Sequence, residues 1–183
     1  MKRLIVVGGG VRSGKSAFAL TLARQLGARR AFIATAQAFD GEMRERIGRH
    51  VAERGQEFET FEEPIALRER LASVSADVVV VDCLTLWLSN LLLQQPEPST
   101  AALEREIDRL AEQLAARRSH VIVVTNEVGM GVVPESALGR AFRDLAGRAH
   151  QRVCAAADDI YLGVLGCMLR LRPEPLALVP PAD

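Results

Sequence analysis

A short apolar run, Leu4-Ile5-Val6-Val7, breaks into three glycines and gives way to a helix-like stretch, Ser16-Ala17-Phe18-Ala19-Leu20. A buried strand that feeds a helix through a glycine turn is the opening unit of an α/β sheet. Between the two, Gly9-Gly10-Val11-Arg12-Ser13-Gly14-Lys15-Ser16 fits the phosphate-loop pattern G-x-x-x-x-G-K-[ST] without a mismatch. Glycines let the backbone turn tightly and aim successive N–H groups inward, which makes an anion-binding nest. The helix N-terminus adds partial positive charge where phosphate oxygens would sit. Lys15 can reach the β- and γ-phosphates, and the Ser16 hydroxyl can ligate Mg²⁺. The unit predicts a nucleotide-phosphate site.

The 183 residues suit one α/β domain, 1–183, with little room for a second. Lys+Arg and Asp+Glu are equal at 23 each, so no global field recruits nucleic acid or a membrane surface. The three cysteines, Cys83, Cys154 and Cys167, have no C-x-x-C spacing and indicate neither a disulfide framework nor a zinc site. With no signal-peptide layout and no apolar run of the ~18 residues a membrane span needs, a soluble cytoplasmic protein is expected.

Along the chain, Phe18, Leu22 and Leu26 recur at helical spacing and Gly27 reads as a helix stop. Ala31 to Thr35 is the next strand, ending in small polar residues on what should be the ligand rim of a parallel sheet. Residues 40–54 read as an amphipathic helix with a buried stripe, Met43, Ile47 and Val51, beside a basic one, Arg46, His50 and Arg54. Flanking arginines would keep a neutral imidazole available at His50 and could hold phosphates against it. A solvated charged face with an incidental histidine is the other reading. Glu57 to Glu63 is an acidic loop or edge strand anchored by Phe58 and Phe61, and Leu67, Leu71 and Val74 suggest a short helix.

Val78-Val79-Val80-Val81-Asp82 describes a strand buried on both faces with an acid at its end. Next to an intact phosphate loop, Asp82 reads as the carboxylate that holds Mg²⁺. The almost wholly apolar stretch Leu84–Leu93 should be buried or form a subunit contact. A loop at 94–100 precedes a helix with Leu103, Ile107, Leu110 and Leu114 on one face and solvated charges on the other. His120 reads as a strand-edge residue leading into Val121 to Thr125. The glycine-rich loop 126–135 then lies on the ligand rim, and Pro134 suits the first turn of a helix. That helix buries Leu138, Phe142, Leu145, Ala149 and Val153, holds a structural His150, and carries Arg140 and Arg143 for surface salt bridges or phosphate contacts. Asp159 to Leu165 is a last core strand, with Cys167 to Leu171 beside it and a proline-rich tail beyond. Alternating strands and helices give a mostly parallel sheet flanked on both faces.

Four stretches resemble the bifunctional adenosylcobinamide kinase/adenosylcobinamide-phosphate guanylyltransferase family: Gly9–Ser16, Glu42 to His50, Asp82 to Asn90, and Val124-Thr125-Asn126-Glu127-Val128-Gly129-Met130-Gly131-Val132-Val133-Pro134-Glu135. The resemblance runs from residue 3 to about residue 165. It implies a RecA-like P-loop NTPase fold and two reactions. The first phosphorylates the hydroxyl of adenosylcobinamide from ATP or GTP. The second transfers GMP from GTP to adenosylcobinamide-phosphate and releases pyrophosphate. In the family GMP is first carried on a histidine, here His50, whose neighbour Arg49 stands where some relatives have a second histidine. The same resemblance places Val51, Ala52, Glu53, Arg54 and Glu62 near the nucleotide, with Glu62 on guanine, and suggests a homotrimer; Ala34, Thr35, Ala36 and Asp82 join them from their places at strand ends on the ligand rim. Asp82 replaces a glutamate of some relatives, and Val11 replaces the usual loop alanine. A simple small-molecule P-loop kinase would share the loop without needing His50. A nucleotide switch or a DNA-binding ATPase is the other rival, and the neutral net charge counts against DNA.

Overall fold

The computed structural model describes residues 1–37, 41, 55–94 and 100–173. Its strands are β1 (Leu4–Gly9), β2 (Arg30–Ala34), β3 (Glu59–Glu62), β4 (Val78–Asp82), β5 (His120–Val124), β6 (Asp159–Val164) and β7 (Cys167–Arg172). The helices among the described residues are α1 (Lys15–Leu26), α2 (Leu67–Ser73), α3 (Leu84–Leu93), α4 (Thr100–Ala115) and α5 (Ala137–Ala155). The predicted helix over 40–54, and with it His50, lies outside the described residues.

The strands form one seven-stranded sheet in the order β3-β2-β4-β5-β1-β6-β7. All neighbours pair in parallel except β6 with β7, which form an antiparallel hairpin at one edge. β1 therefore sits inside the sheet, with Val7 opposite Val124 of β5 and opposite Tyr161 of β6. Period-2 alternation divides the apolar strand residues between two cores. Leu4, Val6, Ile33, Val79, Val81, Val121 and Val123 face the side covered by α2 to α5. Ile5, Val7, Phe32, Val78, Val80, Ile122 and Val124 face α1.

The helix faces explain how the layers close. α4 buries the stripe predicted for it, Leu103, Ile107, Leu110 and Leu114, at about 1.5–3 kcal/mol per side chain. Its polar side is less solvated than expected. Glu104 pairs with Arg148, Glu106 with Arg68, and Asp108 with Arg152, tying α4 to α5 and α2. In α1 the buried residues are Ala19, Leu20 and Ala23 with Lys15, while Phe18, Leu22 and Leu26 flank them half-buried. The small alanines let the helix axis approach the sheet, so the larger residues lie along its sides. α1 ends at Gly27 in extended backbone. A Cβ there would lie 2.4 Å from Cβ of Asp77, so close approach accounts for the glycine. In α3, Trp87 is fully buried and donates from Nε1 to the Ile65 carbonyl at 2.9 Å, whereas Leu93 is exposed.

Two expectations about the last helix fail. α5 starts at Ala137, three residues after Pro134, because the Ser136 side chain caps it by accepting from Gly139 N–H at 3.1 Å. Leu138 is consequently exposed, while Leu145, Ala149 and Val153 are buried as expected.

Candidate active site

Parallel strands place the carboxyl ends of β1, β2, β4 and β5 on one rim, and the expected site residues that the structure describes lie along it. β1 ends in Gly9, whose φ of 151° brings the chain against β6. A Cβ at Gly9 would lie 2.7 Å from both the Gly163 carbonyl oxygen and Ser13 Oγ. No larger residue fits without moving the loop. Gly10, Val11, Arg12 and Gly14 are exposed, and Arg12 and Gly14 adopt left-handed backbone with φ of 55° and 83°. The first turn of α1 has no side-chain cap hydrogen bond and holds no acid, as suits a helix N-terminus that receives an anion. Lys15, the first residue of that turn, is only 6 % exposed, and Nζ donates to the Gly10 carbonyl at 2.9 Å. Its ammonium is thus held back over the loop it is meant to serve. Ser16 follows, half-buried.

Asp82 ends β4 half-buried, in register with Ala34 of β2 and Val124 of β5. Only β5 separates it from β1, a lateral distance of ~10 Å at ~4.8 Å per strand. That spacing leaves room for a phosphate and a cation between Asp82 and the loop. Among the described residues no cluster of three or more His, Cys, Asp or Glu side chains could hold a metal. One hydroxyl (Ser16) and one carboxylate (Asp82) instead suit Mg²⁺, which keeps several waters and takes the rest of its shell from substrate phosphates.

Ala34 and Thr35 are buried beside this acid, and Ala36 is half-buried. Every polar group of Thr35 is used internally. Its N–H donates to the Asp82 carbonyl at 3.0 Å, and its carbonyl accepts from Asn90 Nδ2 at 2.8 Å. Its hydroxyl accepts from Cys83 N–H and donates to the Cys83 carbonyl, both at 2.7 Å. Glu62 is exposed at the end of β3, four strands from β1. Val51, Ala52, Glu53 and Arg54, like His50, fall outside the described residues.

Two polar clusters on the rim were not singled out by the sequence reasoning. Asn126 Nδ2 donates to Thr85 Oγ1 at 2.9 Å, stitching the end of β5 to the start of α3. Beyond it, the Glu127 N–H donates to the Gly9 carbonyl at 3.0 Å, docking the loop after β5 onto the phosphate loop. The Glu127 carboxylate accepts from Gly129 N–H at 2.5 Å, and its other oxygen lies 3.6 Å from His150 Nδ1. His150 Nε2 is 2.8 Å from the Thr125 hydroxyl. Burial lowers the His150 pKa, with Glu127 opposing in part, so the imidazole is neutral at neutral pH. The sequence put the loop 126–135 on the ligand rim and among the stretches that carry the family resemblance, but gave Glu127 no role. Arg140 and Arg143 make no salt bridges with the described residues. Arg140 donates to the Pro134 and Glu135 carbonyls and Arg143 to that of Gly129, bracing the loop. A cavity of about 770 Å³ between α2 and α4 opens near Val79, Ser119 and Val121 at the opposite rim and takes no part in this site.

Fold and loop together define a P-loop nucleotide-binding protein of RecA-like architecture. Solved structures of that class agree: the RadB recombinase matches with a TM-score of 0.52 at 21 % identity, covering 95 % of this chain and 84 % of that one. A solved ATPase domain matches with a TM-score of 0.50 at 13 % identity, covering 88 % of this chain and 69 % of its own. At such identities the likeness is one of fold. Sequence goes further. The family described as Cobinamide kinase / cobinamide phosphate guanyltransferase matches residues 5–171. The bifunctional adenosylcobalamin biosynthesis protein CobP of Pseudomonas aeruginosa is 43 % identical, covering 96 % of this chain and 100 % of that protein. The CobU proteins of Salmonella typhimurium and Escherichia coli are 39 % and 38 % identical, each covering 92 % of this chain and 99 % of its own. The chain belongs to the cobinamide kinase/cobinamide phosphate guanyltransferase family, and it is an enzyme.

Proposed function

We propose that this enzyme phosphorylates the hydroxyl of adenosylcobinamide from ATP or GTP and then transfers GMP from GTP to the resulting phosphate, giving adenosylcobinamide-GDP. The carrying observation is an intact phosphate loop, uncapped and facing Asp82, in a chain aligned over nearly its whole length with bifunctional relatives. In the first step the loop N–H groups and Lys15 hold the β- and γ-phosphates, while Ser16 and Asp82 hold Mg²⁺. Mg²⁺ supplies charge neutralisation on the transferring phosphoryl group. In the second step His50 attacks the α-phosphorus of GTP. An N–P bond forms as the bond to pyrophosphate breaks, and the acceptor phosphate then displaces the imidazole. Ala34, Thr35, Ala36, Val51, Ala52, Glu53, Arg54 and Glu62 line the nucleotide, with Glu62 reading guanine. Because the Thr35 side chain is committed to Cys83, its contribution is to fix the backbone of the rim.

Work in the cytoplasm and assembly as a homotrimer belong to the same reading. Exposed Leu93, on an otherwise apolar helix, suits burial between subunits. Among the described residues no helix is long and apolar enough to cross a membrane. The test of the function is incubation with Mg²⁺ and GTP labelled at the α-phosphate, wild type beside His50→Ala. Label that is stable to alkali, lost in acid and missing from the variant is the expected result. A wild type that binds GTP and takes no label refutes the guanylyl-histidine and leaves a simple kinase. Label that persists in the variant refutes His50 as its bearer.

A further inference from the structure

The two proposed reactions differ in one elementary requirement. An alcohol must lose its proton as its oxygen attacks the γ-phosphorus. A phosphate monoester, with a second pKa of about 6, is already anionic at neutral pH and attacks without losing one. The kinase half therefore needs a base that the transferase half does not. Among the described residues, the carboxylates at the ends of the strands on the phosphate-loop rim are Glu62 and Glu63 at the end of β3, Asp82 on β4, and Glu127 after β5. Glu62 ends a strand four spacings from β1, roughly 19 Å away, and Glu63 is held by the N–H groups of Ile65 and Ala66. Asp82 is assigned to the cation. Glu127 follows the strand adjacent to β1, roughly 5 Å away, and its own N–H is bonded to Gly9 at the mouth of the loop.

Resting on the kinase reading above, we propose that Glu127 is the general base of the hydroxyl-phosphorylation step and His150 its positioning residue. Glu127 keeps 28 % of its side-chain surface open, enough to meet an acceptor, while His150 keeps 17 %. The carboxylate is flanked on two sides, by the Gly129 N–H on one oxygen and by the imidazole Nδ1 at 3.6 Å from the other. Thr125, buried under the rim, fixes the far nitrogen of that imidazole. A neutral ring orients the acid without placing a full cation against it, which leaves the carboxylate free to accept a proton. As the acceptor oxygen bonds to the γ-phosphorus, its proton passes to Glu127. The bond from that phosphorus to the bridging oxygen breaks, and its electron pair leaves on the nucleoside diphosphate.

Glu127→Gln separates the two halves. Phosphorylation of cobinamide from Mg²⁺-ATP should fall ~10²–10⁴-fold in kcat, with KM for ATP changed by less than about twofold because the loop is untouched. Guanylyl transfer to chemically phosphorylated cobinamide should stay within about threefold of wild type, since no proton must be removed. Glu127→Asp, which keeps a carboxylate, should recover part of the kinase rate. His150→Gln should lower the kinase alone, and the double variant should be no slower than Glu127→Gln, because both residues act through one proton acceptor. Parallel loss of both reactions in Glu127→Gln, or additive losses in the double variant, would assign the cluster a structural role and overturn the proposal. So would a Glu127→Gln kinase as fast as wild type. A wild type that transfers GMP but phosphorylates no hydroxyl would instead refute the kinase reading beneath it.

Discussion

Replacing Thr35 by valine removes one hydroxyl and nothing else of consequence in shape. The methyl that takes its place can neither accept from the Cys83 N–H nor donate to the Cys83 carbonyl, both now 2.7 Å from Thr35 Oγ1. Cys83 is 2 % exposed and Thr35 fully buried, so water cannot replace either bond. The Cys83 carbonyl still accepts from the Trp87 N–H at 3.2 Å, so the group left stranded is the Cys83 N–H, at about 1–3 kcal/mol. Against a total stability of ~5–15 kcal/mol the loss is a substantial fraction. In urea, with m on the order of 2 kcal/mol/M, the midpoint should drop by ~0.5–1.5 M at unchanged m. Thr35→Ser is the control. It keeps both bonds, gives up a methyl, and should cost about 1 kcal/mol. A Thr35→Val midpoint within ~0.2 M of wild type would refute the claim that this hydroxyl holds β2 to the turn after β4.

Three further outcomes follow from the same structure. Gly9→Ala would set a Cβ 2.7 Å from the Gly163 carbonyl oxygen, at a φ of 151° that side chains avoid, so fluorescent-nucleotide titration should show Kd rising at least ~tenfold. The Arg29 backbone N–H and then its guanidinium hold the Asp77 carboxyl below its ordinary 3.8. Its folded pKa is the lower one, so this stabilisation is complete above about pH 4 and is lost as pH falls through the folded value. Asp77→Asn should flatten that acid limb of the urea midpoint plotted against pH. Burial pushes the Cys83 thiol up to about 11, whereas Cys167 lies exposed on β7. A disulfide-exchange reagent at neutral pH should therefore label Cys167 quickly and Cys83 only on unfolding.

Where periodicity and glycine chemistry agreed, the chain could be read directly. Val78–Asp82 and the phosphate loop fall where their patterns put them, and α4 buries the four residues its spacing selects. In α1 the larger residues misled, because closeness to the sheet is decided by the smallest side chains, Ala19 and Ala23, which carry little weight in a hydrophobic stripe. Pro134 was a plausible helix start, yet one serine side chain two residues on decided the matter. The charged face of α4 read as solvated because its partners, Arg68, Arg148 and Arg152, are far off in sequence (Arg68 and Glu106 are 38 positions apart) and visible only in three dimensions. Glu127 and His150 were out of reach for the same reason. Strand order sets Glu127 beside the phosphate loop, and no local pattern encodes strand order. His50 came from resemblance; its own surroundings, one basic stripe, allowed two readings.

The position of β1 has a consequence for how the enzyme comes into being. β1 is made before its two partners, yet it is an inner strand of the sheet between β5 and β6, with Leu4 opposite Val121 and Ile5 opposite Asp159. A nascent chain that stops short of His120 thus contains every residue of the phosphate loop and neither of the strands that give it shape. Pairings that span so much sequence form late and slowly. Until they do, Leu4 to Val7 remain an unpaired apolar edge of the sort that aggregates or recruits a chaperone. Competence to hold a nucleotide therefore waits for β5 and β6, and a product truncated before them retains the motif without the function.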